Sequence, residues 1–336
     1  MIEHKKNLQR GSDRCRSESM QRRACVNVLM LLTLMCQSIS IAVANETPAA
    51  EVQTGQEEMV DEGVLTDRLE DERRSAFNPY VVSTHKQNFV FPISYTSNLN
   101  TQVYDEVSEN VGEDVGQFLR SEEVKFQLSL KVQLNEKDLL VGDDALFLGF
   151  TLEAWWQLYS KDVSSPFRET NYQPEIFYFV PLSWSPFGIT TSTVFGLEHQ
   201  SNGQIQGFSR SWNRLYAGLL VEKGNYFGYI RPWYRLPEKS KDTPGSPKGD
   251  DNPDILDFMG HGELLLGLRG EQFEYSAKLR GNFSTGKGAA QLSTSFPMFG
   301  RFRGVIQYFN GYGDSLVDYN HFQQRLSIGI LMSNLF

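Results

Sequence analysis

Hydrophobic and polar residues alternate along most of the chain from about residue 87 onward. A period of two places successive side chains on opposite faces of an extended backbone, so it predicts β-strands and not helices. In residues 124–134, for example, Val, Phe and Leu form one face, and Lys, Gln and Ser form the other. About twelve such runs occur, centred near residues 92, 129, 152, 179, 196, 217, 230, 267, 279, 292, 306 and 329. An even number of strands suits a closed antiparallel barrel.

The polar face distinguishes a membrane barrel from a soluble β-sandwich, which also alternates. It holds Lys, Arg, Glu and Gln, and in a barrel such residues fill the lumen while the apolar face contacts lipid. We expect four aromatic residues to flank the apolar face: Trp155, Trp156, Trp233 and Tyr234. Short links, such as residues 223–225, alternate with long ones, such as 238–260. The pattern therefore predicts an all-β, twelve-stranded antiparallel transmembrane β-barrel with short periplasmic turns and long outer loops.

The composition of the 336 residues narrows the functional classes. A formal net charge of −9 argues against a nucleic-acid partner, because phosphate binding requires a basic surface. The mean hydropathy of −0.39 excludes a polytopic helical membrane protein. A hydrophobic content of 40 % is compatible with a barrel, which requires apolar residues on one face only.

The first 44 residues have the pattern of a secretory signal peptide, in which basic residues precede an apolar run and a small-residue triplet ends the segment. Met20 is an alternative start. A membrane anchor or a lipoprotein signal ending at Cys36 is a second interpretation, although the run is short for a span and Met35 is unusual before a lipidated cysteine. All three cysteines lie in this segment, so cleavage would exclude a disulfide scaffold, a cysteine nucleophile and a thiolate metal site.

The segment that follows the leader is strongly acidic. Removal of residues 1–44 takes seven Lys/Arg from 32 and three Asp/Glu from 41, which leaves a net charge of −13. Ten acidic residues lie between positions 45 and 74, with almost no aromatic residues. Such a segment cannot bury enough apolar surface to fold. We therefore expect a signal peptide at 1–44, a disordered acidic segment at 45–77 and an outer-membrane barrel domain at 78–336.

The residues with catalytic potential lie in one stretch, because the chain contains no Gly-rich phosphate loop, no His-Glu-x-x-His and no Gly-x-Ser-x-Gly. His199 and Ser201 are two apart on a predicted strand and share a face with apolar residues, which is therefore the lipid-facing one. Asn213 would lie opposite His199 on the next strand, with Cβ atoms ~5 Å apart. This arrangement predicts a triad of Ser201 as nucleophile, His199 as general base and then acid, and Asn213 as the group that orients the imidazole.

A non-catalytic interpretation of the same residues stays open at this stage. His199 and Ser201 could be hydrogen-bonding residues at the membrane interface, beside an aromatic girdle. Polar groups that face hydrocarbon are costly unless they pair or serve a function, and both interpretations satisfy this condition. The other histidines, His85, His261 and His321, have no matching partners in the sequence, and we interpret them as loop or interface residues.

Four sequence blocks in the same order resemble the outer-membrane phospholipase A family. The first is His-x-Ser-Asn-Gly followed by Ser-Arg-Ser-Trp-Asn-Arg-Leu-Tyr, within residues 199–216. The others are Trp-Trp-Gln-Leu with Ser-Ser-Pro-Phe-Arg-Glu-Thr-Asn-Tyr (155–172), Asp-Asp-Asn-Pro-Asp (250–254) and Gly-Tyr-Gly-Asp-Ser-Leu (311–316). The resemblance extends from about residue 78 to Phe336, where an alternating run that ends on phenylalanine is similar to the C-terminal signature of bacterial outer-membrane barrels.

This resemblance implies a calcium-dependent enzyme that hydrolyses acyl esters of phospholipids and lysophospholipids. It implies a twelve-stranded barrel in the bacterial outer membrane, with the active site toward the extracellular leaflet, that is active as a homodimer. The family triad maps onto the same three side chains, and the oxyanion donor maps onto the backbone N–H of Gly203. The calcium ligands map onto the hydroxyl of Ser209, the backbone carbonyl of Gln204 and the backbone carbonyl of Ser164 from the partner chain, all of them hard oxygen donors.

The sequence departs from the family pattern at three points. Gln204 replaces a usual arginine, which removes a charge near the lipid phosphate but leaves the carbonyl ligand. Leu152 replaces a glutamine that helps to pair the dimer, so we expect apolar contact there. A second calcium site of the family uses two acidic residues, of which Asp251 matches one and Gln206 replaces the other, and we do not expect that site. A passive porin-like channel and a non-catalytic structural barrel are the alternative functions.

Overall fold

A computed structural model of the chain describes residues 72, 74, 81–104, 116–161, 164–205, 207–243, 246 and 248–333. All described residues belong to the unit Met59–Phe336. The predicted signal peptide, most of the predicted disordered segment and Phe336 lie outside the described residues. Glu72 and Arg74 are helical, and the Glu72 carboxylate forms an ion pair with Lys131 Nζ at 2.7 Å.

Twelve antiparallel strands, β2–β13, form a closed barrel, because each pairs with the next along the chain and β13 pairs with β2. The two-residue strand β1 pairs with β3 beside the end of β2. Each predicted run has its centre within one strand, and the prediction of a twelve-stranded antiparallel barrel is confirmed. The strands are Ser83–Thr84 (β1), Asn88–Thr96 (β2), Glu122–Gln133 (β3), Ala145–Trp156 (β4), Phe167–Leu182 (β5), Thr190–Ser201 (β6), Ser211–Lys223 (β7), Tyr226–Arg235 (β8), Gly262–Arg269 (β9), Glu274–Asn282 (β10), Lys287–Pro297 (β11), Arg303–Tyr312 (β12) and Phe322–Ser333 (β13).

The two ends of the barrel differ in the length of their connections. The link from β7 to β8 has two residues, 224–225, whereas β8 and β9 are joined at the other end by residues 236–261. A short α-helix, Ile255–Met259 (α1), lies in that long loop and buries Ile255 and Met259. Two short 3₁₀ turns span Gly116–Phe118 and Pro186–Gly188. No helix in the described ranges has the length and apolar character that a membrane span requires.

Alternation assigns each strand residue to the lumen or to the outer wall. On β3, Lys125 is buried inside, while Leu128 is 46 % exposed outside. The prediction that four aromatic residues flank the outer face was wrong for two of them, because Trp155 and Trp233 are buried in the lumen. The physical reason is parity: Trp155 and Trp156 are adjacent, as are Trp233 and Tyr234, so each pair can present only one ring outside.

A buried ion-pair network fills the lumen near the long-loop end. Arg168 pairs with Glu123 at 2.5 Å and with Asp318 at 2.8 Å, and Arg325 pairs with Glu123 at 2.9 Å and with Asp314 at 2.8 Å. Burial alone would raise the pKa of the Asp318 carboxyl, but Arg168 and hydrogen-bond donors hold it below its usual value. Every member has a partner of opposite charge, as buried charges require.

A second network surrounds a lumen cavity of about 290 Å³. Glu175 accepts a hydrogen bond from Tyr216 OH at 2.6 Å and lies 2.8 Å from His85 Nε2 and 3.1 Å from Lys86 Nζ. His85 lies in the link between β1 and β2, as expected of a loop residue, but the expectation that it has no matching partner was wrong. His85 precedes β2, where the chain turns into the barrel mouth, and Glu175 comes from a strand ninety positions away. The other two histidines, at 261 and 321, lie in loops.

Candidate active site

The hairpin of β6 and β7 positions the three residues of the predicted triad. Its register pairs His199 with Asn213 and Ser201 with Ser211, so all four side chains project from one face. The apolar residues that precede them on β6, Phe195 and Leu197, are 50 % and 43 % exposed. The candidate site therefore lies on the outer wall of the barrel, beside the loop of residues 202–210.

A hydrogen bond joins the imidazole of His199 to the side-chain amide of Asn213. His199 Nδ1 lies 2.8 Å from Asn213 Oδ1, the geometry in which the amide oxygen accepts from the imidazole. Within the described residues, no hydrogen bond joins the Ser201 hydroxyl to His199. The hydrogen bond between a nucleophile and its base is often long or absent before substrate binds. The placement of His199 and Ser201 two residues apart on one strand face is therefore compatible with a catalytic pair.

Asn202 fixes the loop that follows Ser201, and sequence analysis did not identify this role. Its buried side chain donates from Nδ2 to Phe208 O at 2.8 Å and to the Glu169 carboxylate at 3.3 Å. Its Oδ1 accepts from Arg210 N at 2.9 Å. Asn202 lies between Ser201 and Gly203, and it therefore sets the conformation of the backbone next to the candidate nucleophile. Asn202 is part of the Ser-Asn-Gly string, but the sequence could not show its role because its contact with Glu169 joins distant positions of the chain.

If Ser201 is a nucleophile, we expect Asn202→Ala to lower kcat for acyl-ester hydrolysis between about 10- and 10²-fold, because a displacement of about 1 Å at a reacting group has this effect. The kcat measured in detergent micelles checks the prediction. Asn135→Ala is the matched control, since Asn135 is buried and fixes the 134–144 turn at the opposite end of the barrel in the same manner. Equal losses in the two variants would contradict a specific role of Asn202.

Gly203 adopts a backbone conformation that favours glycine. Its φ of +61° lies in the left-handed region, which residues with a Cβ rarely adopt. A Cβ atom there would also lie 3.4 Å from the ring of Tyr172. Tyr172 pairs in register with Ser201, so its ring, the serine and the glycine loop share the outer surface. This surface could bind an acyl chain that approaches from the bilayer.

The residues predicted to hold calcium include two in the loop 202–210. Ser209 Oγ donates a hydrogen bond to the Asp251 carboxylate at 2.7 Å, so the oxygen lone pairs of the hydroxyl remain available to a cation. Lys241 forms an ion pair with the same carboxylate. Gln204 offers a backbone carbonyl in the same loop, and Ser164 is exposed in the loop between β4 and β5. Hydroxyl, carbonyl and nearby carboxylate oxygens fit a hard cation such as Ca²⁺.

The long β8–β9 loop closes over this end of the hairpin through the Asp-Asp-Asn-Pro-Asp block. Asn252, fully buried, accepts from Ser211 N at 3.0 Å. Asp250 accepts from Arg235 at 2.6 Å and from the backbone of Asn252 at 3.0 Å. These contacts place Asp251 beside Ser209. The sequence indicated this block only as part of a resemblance, and the structure gives its physical role as the anchor of the loop.

Comparison with known proteins gives consistent similarities. The family model described as Phospholipase A1 matches residues 65–332. The chain is 33 % identical to a Phospholipase A1 of Klebsiella pneumoniae over 309 residues, which cover 91 % of this chain and all of that one. Its fold is similar to that of an Asn-to-Ala active-site mutant of outer membrane phospholipase A from Escherichia coli (TM-score 0.71, 34 % identity, 80 % of this chain and 98 % of that one). It is also similar to a Salmonella typhi outer membrane phospholipase described as a dimer with bound calcium (TM-score 0.70, 34 % identity, 79 % and 97 %).

Proposed function

Since the chain belongs to the phospholipase A1 family and is a phospholipase of the outer membrane, we propose that it hydrolyses acyl esters of phospholipids and lysophospholipids with Ser201, His199 and Asn213. The observation that carries this proposal is the 2.8 Å contact between His199 Nδ1 and Asn213 Oδ1 on the lipid-facing wall. Two polar groups in this position pair with each other, and a serine follows on the same face. Substrate would reach the serine sideways from the outer leaflet.

In the first step, Ser201 Oγ attacks the carbonyl carbon of the acyl ester while His199 Nε2 accepts the hydroxyl proton. Asn213 keeps the other ring proton on Nδ1 and stabilises the imidazolium. Negative charge develops on the carbonyl oxygen, and the backbone N–H of Gly203 would donate to it.

The tetrahedral intermediate then collapses. The carbon–oxygen bond to the glycerol breaks, and the departing alcohol takes the proton from His199, which leaves an acyl-serine and a free lysophospholipid or its deacylated product. In the second half-reaction His199 accepts a proton from water, whose oxygen attacks the acyl carbon, and the proton returns to Ser201 as the fatty acid leaves. A neutral amide in place of a carboxylate avoids an unpaired charge beside the hydrocarbon.

Two similarities support the residue assignment. The Escherichia coli protein is described as an active-site mutant in which asparagine is replaced by alanine, and in this chain an asparagine contacts the candidate base. The Salmonella typhi protein is described as a dimer with bound calcium. In this chain Ser209, Gln204 and the partner's Ser164 would hold Ca²⁺, which when bound supplies positive charge to stabilise the developing oxyanion.

Apolar contact through Leu152 would pair the two copies of the dimer. Leu152 pairs in register with Tyr172, and Tyr172 pairs with Ser201. The three residues therefore form a row across strands β4, β5 and β6 that leads from the proposed dimer contact to the serine. Two strand spacings amount to about 10 Å, a distance at which a partner chain can complete the acyl-binding surface. Because the outer leaflet normally holds little phospholipid, dimerisation after membrane disturbance would control activity. Cross-linking before and after disturbance tests this control, and a constantly dimeric, constantly active enzyme would contradict it.

We expect removal of calcium with a chelator to reduce fatty-acid release at least about 10²-fold, which is the loss typical when one preorganised oxyanion stabiliser is removed. The measurement is titration of released fatty acid in detergent, with EGTA and after addition of excess Ca²⁺. Readdition of Ca²⁺ should restore the rate, and Mg²⁺, which retains its hydration shell, should restore less. Full activity in the chelator would remove calcium from the proposal.

A further inference from the structure

A carboxylate lies behind the asparagine of the proposed triad. Glu238, in the long β8–β9 loop, accepts a hydrogen bond from Asn213 Nδ2 at 3.2 Å. Leu236 N donates to Asn213 O at 2.8 Å, which extends the pairing of β7 beyond the end of β8 and brings the start of the loop alongside Asn213. Glu238 is half-buried there. The three groups His199, Asn213 and Glu238 therefore form a continuous chain of hydrogen bonds.

The carboxylate determines which way the amide of Asn213 points. An ionised carboxylate can only accept hydrogen bonds, so the amide must present Nδ2 to Glu238. Its Oδ1 then faces His199 Nδ1, and an amide oxygen can only accept, so the imidazole proton must be on Nδ1. His199 Nε2 then carries no proton, and it must be unprotonated in order to accept the proton of the Ser201 hydroxyl.

The same carboxylate also supplies charge that asparagine lacks. Hydrogen bonds in series polarise one another. Because the negatively charged carboxylate of Glu238 accepts from Asn213 Nδ2, Asn213 Oδ1 becomes a stronger acceptor for the imidazolium that forms during the reaction. Glu238 lies in the loop that follows β8 and is half-buried, so its carboxylate is partly accessible to solvent. The arrangement places the asparagine on the outer wall and the carboxylate in the loop behind it.

We propose that Glu238 is a positioning residue for ester hydrolysis, which acts through Asn213 to fix the imidazole of His199 in the proton-accepting tautomer. The proposal rests on the proposed function, since it requires that Asn213 orients a catalytic histidine. The loop that carries Glu238 thereby has a function beyond its anchoring by the Asp-Asp-Asn-Pro-Asp block.

The test is a double-mutant cycle on purified protein in detergent with calcium. We expect Glu238→Ala to lower kcat about 10-fold, as is typical when an outer partner of a functional group is removed, with KM changed by less than about twofold. Glu238→Gln keeps an acceptor oxygen but removes the charge, and it should lose about threefold. In the Asn213→Ala background, Glu238→Ala should lower kcat no further, because residues that act as a unit are not additive.

Asp242→Asn is the control for general charge removal, since Asp242 is an exposed acid in the same loop, and it should leave kcat unchanged. If Glu238→Ala lowers kcat equally in the native and the Asn213→Ala backgrounds, or raises KM alone, the positioning role is wrong. If Asn213→Ala lowers kcat and Glu238→Ala does not, the inference fails while the proposed function stands. If Asn213→Ala has no effect, the proposed function itself fails.

Discussion

Ser201→Ala is expected to lower fatty-acid release from phospholipid at least about 10³-fold, because the proposed mechanism requires the Ser201 hydroxyl to form the acyl-enzyme. Ser201 lies on the outer wall, and among the residues that the structure describes its hydroxyl forms no hydrogen bond to the lumen network, so its replacement should not disturb folding. The measurement is initial rate in mixed micelles with calcium. The difference between boiled and unboiled samples in gel migration checks that the barrel is folded.

Ser211→Ala is the matched control, since Ser211 lies directly opposite Ser201 on β7 and faces the same side. Its rate should stay within about twofold of the native rate. Labelling by a sulfonyl fluoride should occur in the native chain and be lost in Ser201→Ala. A Ser201→Ala variant that releases fatty acid as fast as the native chain would exclude this serine as the nucleophile and return the passive channel and the structural barrel to consideration.

Glu123→Ala is expected to lower the free energy of unfolding by about 3–5 kcal/mol, because it leaves two buried guanidinium groups, Arg168 and Arg325, without a shared partner. Glu123 is fully buried in the lumen. Denaturant unfolding in detergent or lipid, followed by tryptophan fluorescence, measures the change in midpoint. Trp155 reports on the region directly, since its Nε1 donates to the Asp314 of the same network at 3.1 Å.

The adjacent Glu122→Ala supplies the control. Glu122 precedes Glu123 on β3 and is exposed, so its replacement by alanine removes the same charge from the opposite face of the strand. We expect a change of less than about 0.5 kcal/mol. Similar destabilisation by the two variants would show that net charge, and not the buried pairing, explains the loss.

The sequence by itself determined the fold class, the centre of every barrel strand and the wall that carries His199, Ser201 and Asn213. These features follow from local chemistry, since a period of two assigns each residue to one face and a short hairpin fixes which residues of neighbouring strands meet. The family blocks added the chemical class. The contact between His199 and Asn213 could be predicted because both belong to one hairpin.

Only the tertiary structure decided the contacts that cross the barrel. Arg168 meets Asp318 across 150 positions of sequence, and Asn213 meets Glu238 because a long loop folds back over the hairpin. The contact of His85 with Glu175 likewise depends on barrel closure. Periodicity states which face a residue occupies, but it contains no information on which distant strand or loop lies opposite. Closure of the barrel determines which distant residues meet, and the burial of charged side chains in the lumen requires those residues to be of opposite charge.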